Sequence, residues 1–460
     1  MRSSDRPAGL GLLVAAVLLC GVAWALLTPA WQVPDEDSHF AYVQSLVERG
    51  SRPFDDGREA GIAAKATEQD LAEVASGFLD SAQRIESDPE WSPTAEARWR
   101  AAQARLPEAA REDGGGASSA RGNPPGYYLA ATLPYRVGGG GTAIDRLYAM
   151  RLLGVGLLAL FALSGWLLAG ELLGRRRPLQ LVAGAVCGLA PMATFVSAAV
   201  TPDALLLPLW GLTFWMLARV VRRGGRPRDL VALALLVAAA LAVKPVSAAL
   251  VPGALWALVA SRWRRPVRAG PVAAGLVAAG LAGCVAAALA VPGGPRRFAA
   301  YLWQFYVPED AWTNRIVELL PWPLRDVWWE GTIGAFGWLE VRFPAWVYVL
   351  VLALAVPVVV LAARRVGQRH ASLLVAFALP ALALVAGLHL TEEWFLVEQG
   401  EPFTQGRYLL PLLPLAGLAV AGALGGLGAR ARGLALGATL GLLAAGQAAG
   451  LAVVAARFYA

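Results

Sequence analysis

Apolar runs of about twenty residues recur from one end of this chain to the other. Short arginine-bearing loops and two long polar stretches separate them. A run of roughly 20 apolar residues matches the hydrocarbon thickness of a bilayer when helical. The pattern predicts about eleven spans, near residues 8–29, 145–173, 179–197, 201–220, 230–244, 246–261, 270–291, 344–363, 371–390, 407–428 and 434–456. The fifth is short, and the fifth and sixth read as a tight pair broken at Lys244-Pro245. The first run is too long and too apolar for a signal h-region, and no small-x-small cleavage site follows it, so it predicts a retained helix. The expected fold class is an all-α polytopic membrane protein.

Orientation follows from the loops. Gly174-Arg-Arg-Arg-Pro178, Arg222-Arg-Gly-Gly-Arg-Pro-Arg228, Arg262-Trp-Arg-Arg-Pro-Val-Arg268, Arg364-Arg-Val-Gly-Gln-Arg-His370 and Arg430-Ala-Arg432 fall in alternate loops. The positive-inside rule makes those loops cytoplasmic, together with the N-terminus and its Arg2 and Arg6. The chain then divides into a first helix (1–29), a first extracytoplasmic loop (30–143), helices two to seven (144–292), an aromatic extracytoplasmic loop (293–343) and helices eight to eleven (344–460). The first loop carries Ala/Glu/Arg-rich segments, 59–80 and 92–111, that read as helices, then a Gly/Ser-rich stretch from Gly114 to Gly122. The second is dense in Tyr301, Trp303, Phe305, Tyr306, Trp312, Trp322, Trp328, Trp329, Phe336 and Trp338. It reads as an interfacial or re-entrant element anchored by Trp and Tyr, or as a wall that grips a lipid or sugar.

Composition agrees with this picture and narrows it. The chain is 57% hydrophobic and 16% charged, which excludes an ordinary soluble protein. Cys20, Cys187 and Cys284 all sit in apolar runs and have neither metal spacing nor a disulfide framework. Lysine occurs only at Lys65 and Lys244. Residues 31–140 hold 18 acidic and 11 basic side chains, a net of −7 in a chain whose total is +7. The basic excess is therefore spread over short loops and forms no nucleic-acid patch. Glycine is abundant but lies mostly inside apolar runs, where small residues let helices approach closely. No phosphate loop, dinucleotide fingerprint, zincin motif or serine elbow is present, which argues against a cytoplasmic nucleotide-sugar enzyme.

Five constellations could carry chemistry, and all map to the extracytoplasmic side. Asp35, Glu36 and Asp37, with His39, follow the first span without a spacer. A carboxylate there could act as a general base, or Asp35 and Glu36 could hold Mg²⁺ or Mn²⁺ beside a phosphate. The same acids could simply cap a helix starting near Ser38. Asn123-Pro-Pro-Gly-Tyr-Tyr128 forces a turn that leaves Tyr127 and Tyr128 at the interface, as anchors or as sugar contacts. Asp203 in Thr201-Pro-Asp203 is costly near a membrane unless paired, hydrated or functional, although it too could be a cap. Lys244 is the one lysine of the membrane portion, a phosphate ligand or a snorkelling side chain. In Gln405-Gly-Arg-Tyr408, Arg407 stands on the side where positive charge is disfavoured and at a helix start that opposes it. It needs a reason, either a phosphate or a pair with Glu398 or Glu401.

These elements resemble the GT-C superfamily of polytopic glycosyltransferases that use polyprenyl-phosphate sugars. More narrowly, they resemble a bacterial branch of predicted membrane proteins whose substrates are mostly unassigned. The matching pieces are Val33-Pro-Asp-Glu36 with His39-Phe40, Asn123-Pro-Pro-Gly-Tyr-Tyr128, Thr201-Pro-Asp-Ala-Leu205, Lys244-Pro245, Gly334-Ala-Phe-Gly-Trp-Leu339 and Gln405-Gly-Arg-Tyr-Leu-Leu-Pro411. The resemblance implies a GT-C-like bundle and inverting transfer of a monosaccharide from a polyprenyl-phosphate donor to a cell-envelope glycan, lipid or protein. The site would lie outside the bacterial inner membrane. It implies that one of Asp35, Glu36 and Asp37 is the base, because family members often carry Asp-Glu-Pro where this chain has Asp35-Glu36-Asp37. Lys244 and Arg407 would neutralise the leaving phosphate. His39, Tyr127, Tyr128, Asp203, Gln405 and Tyr408 would contact sugar or acceptor. The rival expectations are a flippase or transporter of a lipid-linked saccharide and a non-catalytic envelope-assembly subunit. A flippase needs polar groups deep along its spans, and here the charges gather at one face.

Overall fold

The computed structural model describes residues 8–53, 97, 101, 119–138, 143–262, 293–307, 324–364, 371–400, 403 and 405–459. The expected segment 59–80, nearly all of 92–111, all of 114–118, the seventh span at 270–291, Trp312, Trp322, Arg2 and Arg6 lie outside the described residues, as does most of the loops 262–268 and 364–370.

Almost every described residue is helical. The elements in order are α1 (Ala8–Leu27), α2 (Glu36–Gln44) continued by a π-turn (Ser45–Arg49), a 3-10 turn (Ser119–Gly122), α3 (Gly126–Val137), α4 (Ala143–Leu172), α5 (Arg177–Leu189), α6 (Pro191–Ser197), α7 (Asp203–Arg223), α8 (Pro227–Leu241), a 3-10 turn (Pro245–Leu250), α9 (Val251–Arg262), α10 (Gly294–Tyr306), α11 (Leu324–Ile333), a hairpin of β1 (Ala335–Phe336) and β2 (Val341–Arg342), α12 (Ala345–Ala363), α13 (Ala371–Glu398), a 3-10 turn (Gly406–Leu412), α14 (Leu413–Leu424) and α15 (Ala429–Tyr459).

Among the described residues, eight helices are long and apolar enough to cross a membrane, or nine when α5 and α6 are taken as one bent span. That pair turns by 55° at Ala190-Pro191, where proline removes a helical hydrogen bond. The expectation of about eleven counted α8 as well as the span at 270–291. With 15 residues, α8 is about 22 Å long at 1.5 Å per residue, shorter than the other spans, yet it returns the chain from the far end of α7 to the end where Lys244 pairs with Asp203. The break between the fifth and sixth runs falls at Ala242–Lys244, as the Lys244-Pro245 signal indicated.

The bundle is built around α4, which packs on α1, α3, α5 and α7. Small residues make this possible. A Cβ on Gly154 would lie 1.9 Å from the Ser197 carbonyl oxygen, and one on Gly165 would lie 2.7 Å from that of Ala183. Without a hydrophobic force between helices in lipid, such close backbone contact supplies much of the association. The periphery is apolar instead: Leu19, Trp346, Val349, Val356 and Val359 are exposed, as a lipid-facing surface requires.

Of the aromatic loop, α10 is amphipathic, burying Phe298, Tyr301 and Phe305 while Trp303 and Tyr306 stay exposed. The hairpin β1–β2 follows α11. Phe336 inserts beside Trp24 and Phe195, with ring centroids at 4.8 and 5.4 Å, and Trp338 donates through its indole N–H to the Trp31 carbonyl at 3.1 Å. The hairpin thus pins the turn that leads into the acidic motif.

Candidate functional site

The turn between α1 and α2 is held from beneath by one arginine. Arg151, on the ninth residue of α4, is fully buried and uses all five of its N–H groups. Nη1 donates to the carbonyls of Ala25 (2.9 Å) and Thr28 (2.6 Å), and Nη2 donates to that of Pro29 (3.0 Å). Nε and Nη2 donate to Glu36 Oε1 and Oε2 at 2.9 and 2.6 Å. The same carboxylate accepts the backbone N–H of Trp31 (3.1 Å) and of Val200 (3.0 Å). A carboxylate offers about four acceptor positions, and here four donors fill them. Glu36 is thus locked between α4, the α1–α2 turn and the start of α7.

Its neighbour behaves differently. Asp35 sits at the N-cap of α2 with φ 63°, a left-handed conformation that L-residues avoid,. Its side chain makes no capping hydrogen bond. The carboxylate instead accepts from Arg407 Nη2 at 2.6 Å. Arg407 also donates to the Pro34 carbonyl at 3.1 Å. The arginine side chain is 2% exposed and the aspartate 43%, so a buried cation holds a half-exposed carboxylate. Burial opposes ionisation of Asp35, but Arg407, His39 and Lys244 together outweigh it and hold the carboxyl below its ordinary range.

A second pair has the opposite polarity. Asp203, the first residue of α7, is 5% exposed and accepts from Lys244 Nζ at 2.8 Å, while Lys244 is 17% exposed. Here a buried acid presents a cation. The pairs are joined, because Arg407 Nε lies 3.9 Å from Asp203 Oδ2. Charges therefore alternate along Lys244, Asp203, Arg407 and Asp35. Tyr408 underlies both cations, with Lys244 Nζ 4.6 Å and the Arg407 guanidinium 5.4 Å from its ring centre.

Two glycines explain why these segments meet. Gly126 of the Pro-Pro-Gly turn donates its N–H to the Ala242 carbonyl at 2.8 Å, and a Cβ there would lie 2.5 Å from that oxygen. This contact docks α3 against the turn that leads to Lys244. Gly406 abuts Gly331 of α11: a Cβ on it would lie 2.4 Å from the Gly331 carbonyl carbon. Thr332 Oγ1 donates to the Gly406 carbonyl at 3.0 Å. That contact fixes the backbone immediately before Arg407.

The remaining expected residues distribute around this core. His39, one turn along α2, is hydrogen-bonded through Nδ1 to Tyr128 Oη at 2.9 Å. Burial is the largest influence on its imidazole and lowers its pKa to about 4; Asp35 and Asp203 pull upward, Arg407 and Lys244 downward. Tyr128 also meets Asn123 Nδ2 at 3.1 Å and stacks on Tyr42 at 3.7 Å. Tyr127 is fully buried beside it. Gln405 precedes the 3-10 turn, with Oε1 buried and without a partner among the described residues. Asp37 is partly buried on α2 and belongs to neither of the two pairs. No group of three or more His, Cys, Asp or Glu suited to a metal ion occurs among the described residues. The site carboxylates Asp35, Asp203 and Glu36 each already face a cationic side chain, a donor set poorly suited to a divalent cation.

Arg151 is the residue the sequence reading missed. An arginine inside an apolar run is the same kind of anomaly that singled out Arg407.

Fold and site together define an integral membrane protein of many helical spans with an ionic cluster at one end of the bundle. Over residues 18–416 the chain matches the family described as "Predicted membrane protein (DUF2142)", and it belongs to that family. Among solved structures it is similar to the crystal structure of ArnT from Cupriavidus metallidurans in the apo state, with a TM-score of 0.44 and 16% sequence identity. The match covers 93% of this chain and 62% of that one. Among curated proteins none matches.

Proposed function

We propose that the protein is a GT-C-type glycosyltransferase, working on the extracytoplasmic face of a bacterial inner membrane. It would move a monosaccharide from a polyprenyl-phosphate donor to a cell-envelope glycan, lipid or protein. The observation that carries this reading is one ionic cluster in which a half-exposed carboxylate, Asp35, and a partly exposed ammonium, Lys244, are each held by a buried partner of opposite charge. Residues 35, 203, 244 and 407 are far apart in sequence and joined in space by ion pairs.

Asp35 is the base in this reading. It accepts the proton of the acceptor hydroxyl, whose oxygen attacks the anomeric carbon. The C–O bond to phosphate breaks with inversion, and the lipid phosphate leaves with the bonding electrons. Lys244 meets that phosphate, because it is the more exposed cation; a point charge in a partly dry site stabilises the developing anion. Arg407 and Asp203 are nearly buried, so they act as positioning residues: Arg407 orients Asp35, and Asp203 orients Lys244. Glu36 has no acceptor position left for a hydroxyl proton. Mg²⁺ or Mn²⁺ is not required by this scheme.

The flippase remains the rival from another class. One polar group inside the bundle favours the enzyme, because it is satisfied by its neighbours. Gln447 accepts from Trp24 Nε1 at 2.6 Å and donates to Thr194 Oγ1 at 2.7 Å. The test uses purified protein in lipid with a panel of radiolabelled polyprenyl-phosphate sugars and envelope extract. Sugar transfer from one donor supports the proposal. Transfer from none, with movement of labelled lipid across proteoliposomes, would replace it with the flippase.

A further inference from the structure

Building on the reading that Asp35 acts on a hydroxyl at this site, we infer that His39 is the site's neutral hydrogen-bond donor: Asn123 and Tyr128 fix its proton on Nε2, and that N–H holds a hydroxyl oxygen of the bound saccharide. The argument is an inventory of protons. Tyr128 is fully buried, and its oxygen lies between Asn123 Nδ2 at 3.1 Å and His39 Nδ1 at 2.9 Å. An amide nitrogen only donates, so the phenol oxygen accepts on that side. Its one proton is then left for His39, whose Nδ1 must be the bare, accepting nitrogen. The opposite tautomer would aim two donors at the oxygen and strand the hydroxyl proton in a buried place. The imidazole proton therefore sits on Nε2, which has no partner among the described residues.

The surroundings hold this arrangement in place. Tyr42 stacks on Tyr128 with ring centres 3.7 Å apart and 3° between planes, and its hydroxyl donates to the Asn123 carbonyl at 3.3 Å. The His39 backbone N–H donates to the Asp35 carbonyl at 3.0 Å, so donor and base lie one helical turn apart on the same face. The charged groups that face the imidazole are Asp35 on its own helix, Asp203 at the start of α7, Lys244 before the second 3-10 turn and Arg407 in the third. Two are acids and two are bases, so their fields largely cancel, and burial keeps the ring neutral. Neutrality matters chemically. A charged imidazolium beside Asp35 would pair with it and blunt the base, whereas a neutral N–H gives direction without competing. A neutral donor also suits a hydroxyl oxygen better than a phosphate, which Lys244 serves.

The chain has only three histidines, so ¹⁵N-imidazole spectra of the full protein in nanodiscs are assignable with His39→Gln. The expected wild-type signal is a protonated Nε2 and an unprotonated Nδ1 from pH 7 down to pH 5. Tyr128→Phe should give mixed tautomers. A protonated Nδ1 in the wild type, or a tautomer unmoved by Tyr128→Phe, overturns the assignment. Adding a polyprenyl-phosphate sugar that the transfer assay accepts should shift the Nε2 signal, and adding polyprenyl phosphate alone should not. A shift with the bare lipid phosphate would overturn the hydroxyl in favour of phosphate. In transfer assays Tyr128→Phe should lower kcat/KM about tenfold, the loss of roughly one oriented hydrogen bond. His39→Gln, which keeps an N–H, should recover part of what His39→Ala loses; equal losses overturn the donor role. The tautomer spectra need no substrate, so failure of this inference and failure of the transferase reading are told apart.

Discussion

Asp35 and Glu36 are adjacent carboxylates, each bonded to an arginine, and they do opposite things. Glu36 and Arg151 are wholly buried and mutually saturated. Asp35 and Arg407 share one contact at 2.6 Å, and the acid stays half-exposed. A buried ion pair contributes little net stability, but removing one partner strands a charge. An exposed carboxylate fixed by a buried cation costs less to alter and is free to meet a substrate. The lesson is that a carboxylate left partly unsatisfied is the one available for chemistry. The first pair builds the turn, and the second is the one the proposed transfer would use.

The most severe break expected in this contrast is Arg151→Ala. It leaves Glu36 buried without its cation and frees the carbonyls of Ala25, Thr28 and Pro29, at a cost of about 3–5 kcal/mol. The expected result is a sharp fall in folded yield and melting temperature in detergent. Gly406→Ala acts on the other pair. Its methyl would overlap the Gly331 backbone, and overpacking of this kind costs roughly 1–3 kcal/mol. The shift is delivered to Arg407, so kcat should fall more than KM rises, which transfer kinetics would read. Lys244→Ala should lower kcat by about tenfold, one oriented charge contact's worth, with a smaller change in the donor KM. The mildest effect is on pH. His39 has its pKa lowered to about 4 from the ordinary 6.5, so between those values the unfolded chain binds a proton that the native one does not. Stability from this group is complete above about pH 6.5 and is lost as pH falls toward 4. Melting curves of His39→Gln should show a shallower acid decline than wild type.

Much of the fold was legible because spans obey one dominant rule, apolar length. The helices at 8–27, 143–172 and 345–363 lie within a few residues of the expected runs. The fifth span is the short one the sequence indicated: α8 has 15 residues, yet it returns the chain from the far end of α7 to the end where Lys244 meets Asp203. The gathering of Asp35, Asp203, Lys244 and Arg407 at one end of the bundle was also anticipated, since charges beside apolar spans need reasons. Which acid stays exposed was not readable. Adjacent residues at a helix start point in directions set by the turn before them, and that turn is shaped by Arg151, 115 positions further along the chain. The left-handed backbone at Asp35 has only a weak sequence signature, because aspartate tolerates that region better than most residues but seldom adopts it,. The backbone approaches at Gly126 and Gly406 were visible as motif glycines, but their partners, Ala242 and Gly331, become apparent only in three dimensions.

The measurement that tests the central claim compares Asp35→Asn with Glu36→Gln in one preparation, following transfer from an accepted donor together with the melting temperature of each variant. The account predicts that Asp35→Asn keeps a melting temperature close to wild type and loses about 10²- to 10⁴-fold in kcat, the usual contribution of a general base. It predicts that Glu36→Gln melts markedly earlier while its folded fraction still transfers sugar. A folded Asp35→Asn that transfers at the wild-type rate, or a stable Glu36→Gln with no transfer, would contradict it.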